Sequence, residues 1–501
     1  MLLILSIILF CTLGYILLNA YVYNVRRQYR HIKSPAIPRS LTWFLGCLPD
    51  FQRRFAESPD ASGCLILMQY HNEFKWDLFV LPLFTKNIIF CLELDILSKV
   101  LGDWRTFPKD EEYHRTMSSV NGVRIFGNYG ILSDPGTEVW NAKRKALDPG
   151  FHKSFMRSIM PGLNKVLNNL LGSLSTKASG GIFDVCPDLN RCTFEAISLC
   201  GFNMDSDVLA MYGDRILETV PIIFESMSLS VREPTYKYPW KFQKEKKALH
   251  DTVPAMREVV KNILLDRMKS NPIGSPDLLS HIIKSNQCSD QLTIDDLVDD
   301  YFTFLVAGIE TTAITMAVTL FYLANNHDIL SKVRNEVDSV IKREQIVEFD
   351  DVNKLGYLEM VIKECMRVKP PIHNVGRCCG NSNVVVNGLR IPEGAIVVIP
   401  ILALHHDPRY WEKPEVFDPE RFSPGSDKKI KRLSYLPFMA GGRSCIGKNF
   451  AMLEAKMMIS RIVQEFNIVN PYPEVTDLEM SGLVTIRPRD GVKLELHPRL
   501  I

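Results

Sequence analysis

The stretch Phe438-Met439-Ala440-Gly441-Gly442-Arg443-Ser444-Cys445-Ile446-Gly447 runs into a helical segment from Lys448 to Val463, and the rest of the chain is read outward from it. A cysteine just before a helix N-terminus receives amide hydrogen bonds and a favourable dipole, and both lower a thiol pKa. Metal ligation requires the thiolate, so Cys445 stands where a ligand belongs. The glycines let the loop turn tightly and come close to a flat ligand. Arg443, two residues earlier, can pair with a carboxylate on that ligand. The other cysteines argue for no special chemistry. There are 12 in 501 residues, scattered and without a C-x-x-C pair, so neither a disulfide scaffold nor a zinc site is expected. They are read as small buried hydrophobes in a reducing compartment.

Composition sets outer bounds. With 46% hydrophobic and 23% charged residues the chain is globular, not disordered. Lys+Arg is 59 against 57 for Asp+Glu, which leaves no basic surplus for a polyanion, and no nucleic-acid partner is expected. Leu2 to Tyr23 carries no charge; at helical rise it covers about 33 Å, one bilayer crossing. A cleaved signal peptide would have a shorter apolar run and a basic segment before it. Here the basic residues Arg26, Arg27, Arg30 and Lys33 follow. They hold the rest of the chain on the cytoplasmic side. The expected layout is a transmembrane signal anchor over 1–24, a basic and proline-bearing linker over 25–50, and a single catalytic domain over 51–501.

From about residue 92 apolar residues recur at three- and four-residue spacing over 137–149, 155–178, 187–202, 246–268, 293–324, 327–343 and 354–368, which predicts helices. Strand signals are fewer. Val384 to Ile391 reads as a hairpin about Asn387-Gly388, and Ala395 to Ile401 as a further strand. The segment 293–324 opens with Thr293 and Asp296 at capping-box spacing. From Tyr301 to Ala324 its only charge is Glu310. It is apolar enough for a second membrane span, but a lone carboxylate in lipid is costly, and a buried core helix is expected instead.

Further short patterns accompany the cysteine loop. Glu364 and Arg367 are three apart and share a helix face, and Pro419-Glu420-Arg421-Phe422 follows downstream. Trp140 and Arg144 form W-x-x-x-R, and Ala307-Gly308-Ile309-Glu310-Thr311-Thr312 lies within the long apolar helix. Together with F-x-x-G-x-R-x-C-x-G these resemble the signature elements of the cytochrome P-450 family. The likeness covers most of the chain and is dense after residue 290.

The resemblance implies a mainly α fold with small β-sheets, one large helix-rich domain behind an N-terminal transmembrane helix. It implies haem b, iron protoporphyrin IX, with Cys445 as the iron's axial ligand. Phe438 and Gly447 would complete the cofactor loop, and Trp140, Arg144, Arg377 and Arg443 would meet the haem propionates. Glu310 and Thr311 would deliver protons for oxygen activation, with Gly308 leaving room for dioxygen. Glu364, Arg367 and Arg421 would form a structural network behind the cysteine loop. The implied reaction inserts one atom of O2 into a C–H bond, consuming two electrons and two protons. With no G-x-G-x-x-G site in the chain, the electrons would come from NADPH–cytochrome reductase, docking near Lys428, Lys429, Lys431 and Arg432. The look is nearest to the cholesterol 24-hydroxylase and fatty-acid ω-hydroxylase group, implying a small apolar substrate, a sterol or fatty acid. Residues 110–130, 215–240 and Ile372 to Val375 would line its pocket. A monomer, single-pass in the endoplasmic reticulum membrane, is expected. Two rival readings differ in prediction: a haem-thiolate isomerase or dehydratase needs no reductase, and a non-catalytic haem sensor or lipid-binding membrane protein turns nothing over.

Overall fold

The computed structural model describes residues 2–36, 43–58, 60–84, 86–178, 180–204, 206–270, 277–286, 293–381, 384–425 and 430–499. Lys428 and Lys429 lie outside these residues. The first helix, Leu2–Arg27, carries its apolar side chains outward, with Phe10 79% exposed. It is long and apolar enough to cross a membrane. Described residues of the 25–50 linker dock on the body. Tyr29 and Ile32 bury themselves in the domain, the Val80 amide donates to the Lys33 carbonyl at 2.8 Å, and the Cys47 amide donates to Pro82 at 2.7 Å. Apolar side chains between the basic residues dock this segment.

Two hydrophobic cores build the body. One surrounds a four-stranded sheet in the order Leu78–Leu83, Lys86–Cys91, Ile396–Ile399, Val375–Cys378. Ile88 to Phe90 pair parallel with Ile396 to Val398, while Val375 lies antiparallel opposite Ile399. The other core surrounds the central helix Ile294–Asn325, which packs on Cys186–Ala196, Gln243–Ser270, Gly356–Val368 and Lys448–Glu465. The central helix begins with the anticipated capping box between Thr293 and Asp296, and most of it is buried in protein. Its apolar run is therefore a core helix. The cysteine loop lies at the seam of the two cores: Leu436, Met439 and Ala440 pack on the sheet side, Phe438 and Ile446 on the helix side.

The expected helices form, with two adjustments. The run 155–178 breaks after Ile159, and Ile197–Gly201 at the end of 187–202 is a single π-type turn. The hairpin pairs Val384 with Ile391 around Asn387 (φ 48°) and Gly388 (φ 79°), the two positive-φ residues that a type I′ turn requires. The helices Leu48–Glu57, Gly63–Phe74, Leu94–Gly102, Glu111–Ser118, Ser206–Arg232 and Leu278–Asn286 have no counterpart in the periodicity, nor do the first two strands.

Candidate active site

The cysteine loop is folded by its own backbone. The Cys445 amide donates to the Phe438 carbonyl at 2.8 Å, Met439 donates to Leu436 at 3.1 Å, and Ser444 donates to Gly441 at 3.1 Å. Gly441 sits at φ +76°, where a Cβ would collide with the Leu101 carbonyl oxygen, so only glycine closes the turn. Gly447, at an ordinary φ of −81°, caps the helix Lys448–Glu465 and leaves the Cys445 sulfur uncrowded: a Cβ there would lie 3.9 Å from Sγ. The Gly447 and Lys448 amides and Arg144 do act to lower the thiol pKa. Burial nevertheless outweighs them and pushes the thiol up, contrary to the net lowering expected from the helix end alone. Cys445 is deeply enclosed yet keeps accessible surface, the combination that a side chain facing an internal hollow has.

Cations converge beside it. Arg443 is 5% exposed, its guanidinium 3.5 Å from the centre of the Trp140 ring, and neither Nη atom has a hydrogen-bond partner. Arg377 is buried and donates only to the neighbouring Gly376 carbonyl, at 2.8 Å. Arg144 reaches the Ser444 carbonyl at 3.1 Å. Lys109, buried between Arg443 and Arg377 electrostatically, donates to the Leu132 carbonyl and lies 4.8 Å from the Tyr113 ring centre. The acid facing this group is Asp134, 3.8 Å from Arg443 and already accepting from the Gly136 amide at 2.7 Å and from the Thr137 hydroxyl at 2.7 Å. Burial, reinforced by Arg377 and Arg144 and opposed by Asp134, pushes Arg443 down to about 9; burial and the two arginines drive Lys109 well below its ordinary value. Unpaired buried cations cost several kcal/mol each unless an anion meets them. The arrangement fits a flat group presenting a metal to Cys445 and two carboxylates to the arginines. Trp140, Arg144, Arg377, Arg443 and Cys445 come together as the motifs imply. Lys109 and Tyr113 join them without any sequence signal, since a single lysine ahead of a helix and a tyrosine in its first turn make no pattern.

On the facing wall the central helix is buried from Asp296 to Val306 and from Thr312 to Ala324. Between these runs Ala307 is exposed and Gly308 and Thr311 are half-buried, so the helix opens onto the hollow there. A Cβ at Gly308 would meet Ile197 at 3.4 Å, an ordinary contact, so the missing side chain faces the π-type turn. Thr311 donates back to the Ala307 carbonyl at 2.9 Å. Glu310 turns elsewhere, accepting from the Thr485 hydroxyl and pairing with Arg487 at 3.1 Å. Adjacent in sequence, the acid and the alcohol are not in contact. Of the residues after the Pro370-Pro371 pair, Ile372, Asn374 and Val375 are half-buried, but His373 turns into the core and bonds Ser62 Oγ at 2.7 Å.

Behind the loop, Arg367 and Glu364 pair at 2.7 Å, both wholly buried, and Arg421 approaches the same carboxylate at 3.4 Å. Arg367 also donates to the carbonyls of His405, Pro414 and Val416. His405 in turn accepts the Leu436 amide at 2.8 Å, tying the network to the start of the cysteine loop. Burial pushes His405 and His373 down to about 3. Their unfolded forms therefore bind protons below pH 6.5 that the native forms refuse. Stability is full above 6.5 and falls as the pH drops toward 3, by about 1.4 kcal/mol per pH unit for each histidine. Denaturant unfolding at pH 7, 6 and 5 is expected to show this loss; the profile of His405→Gln is expected to be correspondingly less steep, and identical profiles would refute the assignment.

Comparison with known proteins agrees with this geometry. A family model described as Cytochrome P-450 matches residues 35–494. Cytochrome P-450 4F3 of Homo sapiens is 28% identical over 412 residues, covering 78% of this chain and 77% of that protein. Cytochrome P-450 4F8 of Homo sapiens is 26% identical over 510 residues (96% and 93%), and cytochrome P-450 3A11 of Mus musculus 29% over 399 residues (75% and 78%). With a loop thiol that keeps accessible surface, the buried Arg443 and Arg377 near it without a hydrogen-bonded carboxylate, and a family match along almost its whole length, the chain belongs to the cytochrome P-450 family of haem b-binding monooxygenases.

Proposed function

We propose that this protein hydroxylates an apolar, membrane-partitioning lipid, a sterol or a fatty acid, with NADPH–cytochrome reductase as its electron donor. Cys445 would supply a thiolate to the haem iron; Arg443, Arg377, Arg144 and Trp140, with Lys109 and Tyr113, would hold the two carboxylates of the haem. When bound, haem supplies the oxygen chemistry, with the thiolate pushing electron density toward O–O cleavage. Glu310 and Thr311 carry protons to the distal side, and Glu364, Arg367 and Arg421 keep the cysteine loop in register. Phe438 and Gly447 shape the loop around the sulfur. The observation that carries the reading is Arg443: a buried guanidinium with both Nη atoms unpartnered, one turn of loop from a thiol that faces a hollow.

The acid and alcohol on the opening of the central helix favour oxygen activation over the isomerase or dehydratase alternative, which needs no proton delivery to oxygen. An apolar first helix followed by basic residues supports a single-pass anchor, with the body of residues 51–501 on the cytoplasmic side of the endoplasmic reticulum membrane. Lys431, Arg432 and Lys448 are exposed near the cysteine loop and suit an acidic reductase surface. The wall of Ile372, Asn374 and Val375 is apolar with one amide, as a lipid with a single polar group requires.

A titration of the purified haem-loaded protein with cholesterol and with dodecanoate, followed by the low-spin to high-spin change, tests the substrate class. Saturable shifts with one of them, together with NADPH-driven oxygen consumption that needs reductase, are expected. Full haem occupancy with no oxygen consumption in the presence of reductase would instead mean a sensor or binding protein.

A further inference from the structure

The carboxylate of Glu310 is held by residues that no motif contains. The Thr485 hydroxyl donates to Oε2, and Arg487 Nη1 lies 3.1 Å from Oε1. Thr485 lies in the C-terminal turn between the paired strands Met480–Ser481 and Arg487–Pro488, and Arg487 opens the second of them. That turn is rigidly placed. Gly482, at φ +131°, brings the chain against the Thr485 carbonyl, and the Ile486 amide donates to Pro371 at 2.9 Å. The helix backbone around Glu310 is equally constrained, since the Thr193 hydroxyl donates to the Ile309 carbonyl at 2.8 Å and Thr315 donates to Thr311 at 2.9 Å. The side chain of Glu310 is thus the part free to move.

The exposures give the contact a direction. Arg487 is 48% exposed and Glu310 only 6%, so the pair spans from solvent to the middle of the central helix. One residue on, Thr311 faces the hollow with its hydroxyl turned to Ala307 and not to Glu310. A carboxylate bonded toward solvent and an alcohol facing the reaction space, joined by one movable side chain, make a shuttle. The Arg487 end of the pair lies in water, which screens its charge and lets the contact open on each cycle.

We propose that Thr485 and Arg487 are positioning residues for proton delivery: they hold the Glu310 carboxylate at the solvent end of its travel. The proposal rests on the reading of Glu310 and Thr311 as the relay. In one cycle a proton moves from solvent water to a Glu310 oxygen, and the contact with Arg487 breaks. The neutral side chain then swings toward Thr311 and gives the proton to a water bonded to the threonine hydroxyl. The regenerated carboxylate returns to Arg487 and Thr485. No electron moves in these steps.

The test uses the full-length haem-loaded protein with reductase, dodecanoate as probe, and the variants Glu310→Gln, Arg487→Met, Arg487→Lys and Thr485→Val. In the resting protein, the infrared carboxylate band that Glu310→Gln removes is expected to shift in Arg487→Met and in Thr485→Val. NADPH-driven oxygen consumption is expected to fall by about tenfold in Arg487→Met, less than the roughly 10²–10⁴-fold that a proton-transfer group itself contributes because Arg487 only positions that group, with a larger solvent isotope effect. Arg487→Lys, which keeps the charge, is expected to recover most of the rate. Haem content should stay at the wild-type level in all four. Unchanged rate and isotope effect in Arg487→Met overturn the proposal whatever the band does; if Glu310→Gln is slow at the same time, the relay itself stands. A fully active Glu310→Gln removes the relay, and the proposal falls with it.

Discussion

Cys445→Ala is expected to abolish the red-shifted Soret band of the reduced carbon-monoxide complex while leaving the protein able to hold porphyrin. The two halves of this outcome come from separate groups. In the proposed site Cys445 would supply the thiolate that gives the shifted band. Arg443, Arg377 and Lys109 would meet the carboxylates, and the two arginines are placed by the Trp140 ring and by the sheet strand Val375–Cys378, not by the cysteine. The substitution removes one sulfur from a side chain that opens onto the hollow, so it creates little new void in the core. Its fold should survive, and thermal unfolding of the variant should stay close to wild type. A wild-type carbon-monoxide spectrum in Cys445→Ala would place the ligand elsewhere and end the haem-thiolate assignment.

Arg367→Met is expected to have the second large effect, this time on the fold. Arg367 is wholly buried and makes five hydrogen bonds: two to Glu364, at 2.8 and 2.7 Å, and one each to the carbonyls of His405, Pro414 and Val416. Removing it leaves the Glu364 carboxylate with Arg421 at 3.4 Å and the Asp418 amide at 2.9 Å as its main partners. It also takes the arginine donor from the buried His405 carbonyl and from the partly buried carbonyls of Pro414 and Val416, the last of which keeps Arg421 at 3.3 Å. Breaking one member of a buried ion pair costs about 3–5 kcal/mol, a large share of the 5–15 kcal/mol by which domains are typically stable. The network holds His405, and His405 holds Leu436, so the cysteine loop should loosen before the rest of the domain does. Haem occupancy after purification and the unfolding midpoint should both drop. The double variant Glu364→Gln, Arg367→Met, which removes the stranded charge, should recover part of the loss. An unfolding midpoint equal to wild type in the single variant would show that the pair carries no structural load.

What could be read in advance was local. The cysteine loop, the capping box at Thr293 and Asp296, and the Asn387-Gly388 turn each depend on residues a few positions apart, where one turn or one helical repeat sets the geometry. The Glu364–Arg367 pairing is of the same kind. The central helix was distinguishable from a membrane span because Glu310 and its neighbours break an otherwise lipid-compatible face. The net direction of the Cys445 pKa was not predictable in this way: the helix-end amides were visible in the sequence, but the burial that overrides them was not.

The amino-acid order by itself determined the thiol-bearing loop, the apolar first helix and the mainly helical body, because hydrophobic period, turn chemistry and capping are short-range properties of a chain. Only the tertiary structure decided that Lys109 and Tyr113 join the arginines, that Gly308 faces Ile197, and that Glu310 is handed to Thr485 and Arg487. Those contacts join residues far apart in sequence across the seam of two cores, where packing and the parallel pairing of Ile88 to Phe90 with Ile396 to Val398 choose the neighbours. Spacing along the chain carries no information about such partners; the burial that makes an unpaired charge costly does.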